Sequence, residues 1–386
     1  MGRKVSRRSA IAPFLVMEVM RAAREREAAG ADVIHLEVGQ PSTGAPAPVI
    51  AAARRALADN RLGYTDALGV PELRARIAQF YRERHGCAVD PSRVVVTTGS
   101  SGAFLLAFLA AFDAGDRVAV SEPCYPGYRN ILSALDVVPA TFAVGADSGF
   151  QPTVARLEAL AGAPAGLPSG LIVASPANPT GSMLSAPALG GIAAWCRRRG
   201  VRLISDEIYH GITYGAPAQC ALAVDDEAIV INSFSKYFSM TGWRLGWCVV
   251  PSDLVRPIER LAQNLFISPP TLAQFAAVAA FDGFDELDRN VARYRRNREI
   301  LTAGLARAGL QRIAPADGAF YIYADIAEIA ASSTDFCARL LAEAGVAATP
   351  GVDFDQARGE GFVRFCFAGS EAEMREAVSR IIAWPR

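Results

Sequence analysis

The chain has 386 residues, 51% hydrophobic and 20% charged, the profile of a globular protein with a large core in two domains or in one large and one smaller domain. Lysine plus arginine and aspartate plus glutamate each number 39, so there is no net field to draw nucleic acid or an anionic membrane surface. The seven cysteines, at 87, 124, 196, 220, 248, 337 and 366, form no CxxC pair, which argues against a disulfide framework or a zinc site and fits a reducing cytoplasm.

The amino terminus, MGRKVSRRSAIAPFLVMEVMRAARERE, places Gly2 and Ser6 in the spacing of a myristoylation signal and a twin arginine at Arg7 and Arg8. Its short apolar run is interrupted by Glu18 and Arg21, and no small-residue cleavage site follows. Export is therefore not expected, and the stretch reads as a basic arm leading into an amphipathic helix. No apolar run approaches the ~20 residues of a membrane span. AFLLAFLAAF, at 103–112, reads as a buried helix.

From about residue 93, short β-rich runs alternate with helical stretches. RVVVTTG (93–99) leads into an apolar helix from Ser101, RVAVSEP (117–123) into a helix around YRNILSAL, and GLIVASP (170–176) into one through GGIAAWCRRRG. VRLISDE (201–207), AIVINSFS (228–235) and LGWCVVP (245–251) are further buried-strand candidates. Continuous apolar strands between helices predict an α/β fold with a mostly parallel sheet covered by helices on both faces. After about residue 285 a long charged helix precedes GAFYIYADI, another helix, GEGFVRFCFA and a last helix, the texture of a smaller α+β unit.

Ligands of such sheets bind outside the carboxyl ends of the strands, so the residues just past each strand carry the chemistry. Those segments are TTGSSGA, EPCYPGY, SPANPTG, SDEIYHG and NSFSKYFSMTGWR. Ser100 and Ser101 sit at a strand-to-helix turn, where free N–H groups and the helix dipole cradle an anion, although small residues there also simply cap helices. The nucleotide-binding patterns GxGxxG and GxxxxGK[ST] are absent, as is the GxSxG of many hydrolases. Lys236 stands among serines and aromatics, with Arg244 close behind. Those surroundings disfavour the ammonium and leave a neutral amine, a nucleophile toward carbonyls; an ordinary surface lysine would snorkel instead. Asp206 ends an apolar strand, where it either caps the next helix or faces a cation. Asn178, before a proline, is a turn residue by default. In FVRFCF the period of two sends Val363, Phe365 and Phe367 to one face and Arg364 to the other, as an ion-pair partner or a carboxylate clamp. His35, His85 and His210 show no metal spacing and pair with no Ser or Cys motif, and no metal site is expected.

SPANPTG, SDEIYHGITY and SFSKYFSMTGWRLGW, in that order, resemble the fold-type-I pyridoxal-phosphate enzymes, in particular the class I and II aminotransferases related to aspartate aminotransferase. The resemblance extends over nearly the whole chain. VIHLEVGQP (33–41) is similar to the family's glycine turn near the substrate carboxylate, with Gly39, and GEGFVRFCFA (359–368) to its late arginine strand. GYTDALGVPELR (63–74) is similar to the segment whose tyrosine, here Tyr64, reaches the cofactor phosphate of the neighbouring subunit.

The resemblance implies a cytoplasmic homodimer with pyridoxal 5′-phosphate. It implies an amino-terminal arm over 1–45 that joins the small domain, a large cofactor-binding domain over 46–285, and a small carboxyl-terminal domain over 286–386. Lys236 would form the Schiff base and carry protons, and Asp206 would keep the pyridine nitrogen protonated. Asn178 and Tyr209 would bind the ring oxygen, and Tyr125 would stack on the ring. Ser100, Ser101, Ser233, Ser235 and Arg244 would hold the phosphate. Arg364, with Gly39 and Asn178, would take the substrate carboxylate.

In the bacterial aspartate-specific branch a lysine stands where this chain has Ser101. The segment that closes over the substrate there aligns with APFLV, placing Leu15, with Phe14 and Val16, near the side-chain pocket. An uncharged, partly apolar wall penalises a buried carboxylate, so a neutral donor (aromatic, branched or alanine-like) is expected over aspartate. The expected activity is ping-pong transfer of an amino group to a 2-oxo acid. A carbon–sulfur β-lyase on the same fold would keep every one of these residues. A cofactor-sensing transcription regulator is not expected, since the match begins almost at residue 1 and the net charge is zero.

Overall fold

The strands of the computed structural model, which describes residues 3–60 and 62–385, are β1 (Ile34–His35), β2 (Val94–Thr97), β3 (Arg117–Glu122), β4 (Val138–Ala143), β5 (Gly170–Ala174), β6 (Arg202–Asp206), β7 (Ile229–Ser233), β8 (Gly246–Val249), β9 (Tyr321–Asp325), β10 (Val346–Ala347), β11 (Thr349–Pro350) and β12 (Phe362–Cys366). Gly2 of the myristoylation pattern lies outside the described residues. One sheet holds β2 to β8 in the order β2-β8-β7-β6-β5-β3-β4. β8 runs against both its neighbours, β2 and β7, and the remaining pairs are parallel.

The continuous apolar runs follow from burial on both faces. Along β7, Ile229 and Ile231 join one core cluster with Phe104 and Phe108 of the helix Gly99–Ala111, while Val230 joins the other with Ile192 and Trp195 of Ala186–Arg199. Strand geometry alternates side chains between faces, so the inner strands feed both cores. Each such valine or isoleucine is worth about 1.5–3 kcal/mol when fully buried.

The edge strand β4 escapes the sequence reading. It contains Pro139, Val138 is 46% exposed, and its burial does not alternate cleanly. An edge position tolerates the missing proline N–H, and one-sided burial removes the apolar run that marks the inner strands.

Both chain ends meet in a second unit. β1 pairs in parallel with β10, Ile34 beside Val346, and β11-β12-β9 form a three-stranded antiparallel sheet. The helix Leu15–Ala28 packs on β10 and β11, and Phe284–Arg307 packs along Glu371–Ala383. Among the described residues, no helix is long and apolar enough to cross a membrane.

Candidate active site

The carboxyl ends of the parallel strands converge on one cleft. β2 ends at Thr97 and the helix Gly99–Ala111 starts almost at once, presenting Ser100 and Ser101 on its first turn. Gly99 has φ +72°, and a Cβ there would stand 2.6 Å from Nη2 of Arg244, so only glycine lets the guanidinium lie against this turn. β6 ends on Asp206, and β7 leads to Ser235 and Lys236. Because β8 is reversed, its first residue rather than its last lies at this edge, and Arg244 just before it reaches the same cleft. Tyr125, Asn178 and Tyr209 line the cleft from the intervening turns, and Gly39 and Arg364 line it from the terminal unit.

Three of the residues named from the sequence do not line it. Ser233 is buried, its Oγ 2.9 Å from Ser235 Oγ and 3.1 Å from the Leu245 carbonyl oxygen, where it shapes the loop rather than facing the cavity. Leu15 is turned away: its N–H donates to Asp353 at the helix start, and Phe14, Val16 and Met17 face the cleft in its place. At about 100° per residue, a helix presents its neighbours to different sides. Tyr64 is 84% exposed and lies outside the cleft of its own chain. His85 and His210 lie outside it too, held neutral by burial at about 4 and about 3.

Four charged side chains line the cleft among the described residues: Asp206, Lys236, Arg244 and Arg364. Burial pulls Lys236 down to about 8, with the guanidiniums of Arg364 and Arg244 adding to the effect, and its Nζ donates to the Gly39 carbonyl. Gly39 is placed so closely against Tyr321 that a Cβ would collide with the phenol oxygen. Asp206 is 5% exposed, and burial raises it to about 6 against the opposing pull of its hydrogen bonds. The Tyr128 phenol donates to its Oδ2, and the Ile208 N–H donates to Oδ1 at 3.1 Å. The sequence reading missed Tyr128, although it lies in EPCYPGY three residues after Tyr125.

Arg364 is 2% exposed, between the rings of Tyr321 and Phe354 at 4.4 and 4.7 Å. Nη1 donates to Asn178 Oδ1 at 2.8 Å and Nη2 to the Glu37 carbonyl, while Nε is buried without a partner. Arg244 donates to the Thr241 carbonyl at 3.0 Å. Neither guanidinium meets a carboxylate among the described residues.

A buried guanidinium without an anion and a buried carboxylate without a cation are costly unless a ligand completes them. The donor set therefore suits one anion at the helix turn beside Arg244, a second anion at Arg364, and a cationic N–H at Asp206. A phosphorylated pyridine aldehyde together with an amino-acid carboxylate has that charge pattern. The residues present fit pyridoxal phosphate.

A parallel sheet with a depressed lysine past one strand and an unpaired carboxylate ending the next defines a site for amine–carbonyl chemistry. The sequence model of the aminotransferase class I and II family matches residues 31–381, and the chain belongs to that family, whose members depend on pyridoxal phosphate. It is an aminotransferase, moving an amino group from an amino acid to a 2-oxo acid. The chain is 52% identical over 388 aligned positions to the valine–pyruvate aminotransferase of Mycobacterium tuberculosis, covering 100% of this chain and 99% of that one. A crystal structure of an aminotransferase from Mycobacterium tuberculosis superposes with a TM-score of 0.96 at 52% identity over 99% of both chains. The aspartate aminotransferase of Thermus thermophilus with maleate superposes with 0.92 at 32% identity, over 99% of this chain and 100% of that one.

Proposed function

We propose that the donor is a neutral aliphatic amino acid of about valine's size and the acceptor a small, uncharged-side-chain 2-oxo acid such as pyruvate. The observation that carries this reading is the wall made by Phe14, Val16 and Met17, with Ser101 at the turn and, among the described residues, no lining cation beyond Lys236, Arg244 and Arg364. A second substrate carboxylate would lose its water there without gaining a partner, at about 2 kcal/mol or more. The name of the valine–pyruvate relative supports the same reading.

In this proposal Ser100, Ser101, Ser235, the helix N–H groups and Arg244 hold the cofactor phosphate, and Ser233 orients Ser235. Asp206, steadied by Tyr128, would accept from a protonated ring nitrogen, Tyr125 would stack on the ring, and Tyr209 and Asn178 would bind its oxygen. Bound pyridoxal phosphate supplies an aldehyde that condenses with amines and a ring that accepts the electron pair left at the α-carbon. Arg364 grips the substrate carboxylate, completing the guanidinium that is otherwise unpaired. Lys236, whose pKa near 8 leaves a useful neutral fraction, takes the α-proton on Nζ and returns it in the transfer, so the two half-reactions alternate in ping-pong order.

We assign residues 46–285 to the large domain and the flanking 1–45 and 286–386 to the small one, a division supported by the β1–β10 pairing. The working form is proposed to be a homodimer in which Tyr64 serves the neighbouring cleft. Supporting this, Leu62 and Tyr64 are exposed just before Thr65, whose N–H donates to Ser268 Oγ at 3.4 Å, and Leu265 and Ile267 are exposed just before Ser268, apolar side chains that a second copy would cover. A cytoplasmic setting is supported by seven cysteines that are all buried free thiols.

Rapid-mixing half-reactions with valine, alanine, leucine, phenylalanine and aspartate test the donor assignment. The expected kcat/KM for valine exceeds that for aspartate by at least about tenfold. A preference for aspartate would overturn it.

A further inference from the structure

The helix Leu15–Ala28 has no cap of its own: its N-cap position is Phe14, whose side chain accepts nothing. The cap comes from the far end of the chain. Asp353 Oδ1 accepts the Leu15 N–H at 3.0 Å and Oδ2 accepts the Val16 N–H at 3.3 Å. The carboxylate is 4% exposed and makes no other hydrogen bond among the described residues, so both its oxygens are spent on this one helix end. A negative charge at a helix N-terminus is favourable both for the dipole and for the unpaired N–H groups.

Asp353 itself is held from two sides. It ends a short turn, Gly351–Asp353, that follows β11, and β11 pairs with β12 so that Thr349 lies beside Arg364. Arg129 donates to the carbonyls of Asp353 and Phe354, each at 2.9 Å, and to Glu122 Oε1 at 2.9 Å at the end of β3. The loop is thereby fastened to the large sheet, and Phe354 forms one wall around Arg364. The residues just at the clamped turn are Phe14, Val16 and Met17, which line the cleft, and Phe14 meets Tyr125 edge-on at 5.7 Å.

We propose that Asp353 is a positioning residue for substrate selection: it clamps the covering helix so that Phe14, Val16 and Met17 meet the donor's side chain while Arg364 holds its carboxylate. This rests on the reading that those three residues form the side-chain wall. The clamp acts on the side chain beyond Cβ and not on the reacting atoms, so its loss changes donors unequally.

The test uses the holoenzyme of Asp353→Ala and Asp353→Asn, with amide hydrogen exchange over residues 12–20 and steady-state kinetics for valine and alanine. In Asp353→Ala, exchange at the helix start accelerates and KM for valine rises about tenfold, the usual size of a lost cap. KM for alanine moves less than about twofold, kcat stays within about threefold, and the cofactor absorbance is unchanged. Asp353→Asn keeps one acceptor oxygen and packs alike, so it restores most of the valine KM; should the alanine variant not fold, this one still shows the same unequal shift on a smaller scale. Unchanged exchange at Leu15 and Val16, or equal rises in KM for valine and alanine, would overturn the proposal. Wild-type preference for aspartate would remove the substrate reading alone, since the exchange measurement reports the clamp without reference to any donor.

Discussion

Asp206, Ser235, Lys236 and Arg244 hang directly from the ends of adjacent strands, whereas Phe14, Val16 and Met17 reach the same cleft from a helix end fastened by one carboxylate. The first group inherits its spacing from a ladder of backbone hydrogen bonds buried on both faces. The second depends on two bonds to a residue at the other end of the chain. On the proposed reading, chemistry that every amino acid shares is mounted on the strand ladder, and discrimination among amino acids on a helix end held by two bonds. Arg364 stands between them, carried on β12 but packed against the clamped loop.

Removing the amine gives the largest expected effect. Lys236→Ala should lower turnover by at least about 10⁴-fold for every donor alike, measured in single half-reactions, since on the proposed reading Lys236 carries the α-proton. Residual turnover within tenfold of wild type would break the assignment of chemistry to the strand ends.

Arg364→Ala comes next. KM should rise about 100-fold for valine and alanine together, since the lost contact is to the carboxylate both share. Cofactor affinity should hold, whereas Arg244→Ala should weaken the cofactor and spare KM at saturating cofactor. Full rescue of Arg364→Ala by added cofactor would reverse the two roles.

Ser101→Lys sharpens the other half of the comparison. A cation at the helix turn offers a partner to a distal carboxylate, so the ratio of kcat/KM for aspartate over valine should rise about tenfold. No gain for aspartate would mean that the donor's side chain points elsewhere.

The smallest effect is a titration. Lys4 and Lys236 are the only lysines in the chain, so reductive methylation of the cofactor-free protein can be followed at each one. Below its pKa Lys236 is an ammonium without a free lone pair, and above it a reactive amine. Its labelling should therefore rise through a midpoint near 8, the value to which burial lowers it. Asp206→Asn removes a carboxylate that favours the ammonium, so the midpoint should move down. A midpoint at the ordinary lysine value would show that the amine is solvated.

Much of this was legible in the sequence. The inner strands show as unbroken Val and Ile runs because both faces are covered, and the reactive residues fall just past them because the strands are parallel. β4 was not legible, since an edge strand with Pro139 and one buried face carries no such run. Tyr128 and Asp353 were missed for another reason. Each acts on a residue distant in the chain, 78 and 338 positions away, and nothing local marks a hydrogen bond of that reach. Leu15 was named together with Phe14 and Val16, and the structure puts those two and Met17 on the cleft but not Leu15, because an approximate alignment locates a helix end but not its rotation. The scarcity of lysine was a signal in plain view: in a chain whose positive side chains apart from Lys4 are otherwise arginines, an amine among aromatics stands out.

The reversal of β8 has one more result. Ser233 and Gly246 are direct partners across β7 and β8, and Phe234 N–H bonds the Leu245 carbonyl at 3.1 Å, so the stretch 234–245 is a loop closed at its base. Within it the Ser239 N–H returns to Lys236 and the Met240 N–H to Phe234. Amine and guanidinium therefore ride on one sealed loop, and its length is frozen: a single inserted residue would either break the β7–β8 register or swing Lys236 out of the cleft. The stretch 3–12 is tied by the Arg8–Asp136 ion pair and by Asn130 donating to the Ala12 carbonyl rather than closed at its base by a strand ladder, and it should tolerate added residues. Insertion scanning across 234–245 and 3–12, scored by retained activity, reads that contrast in evolutionary freedom directly.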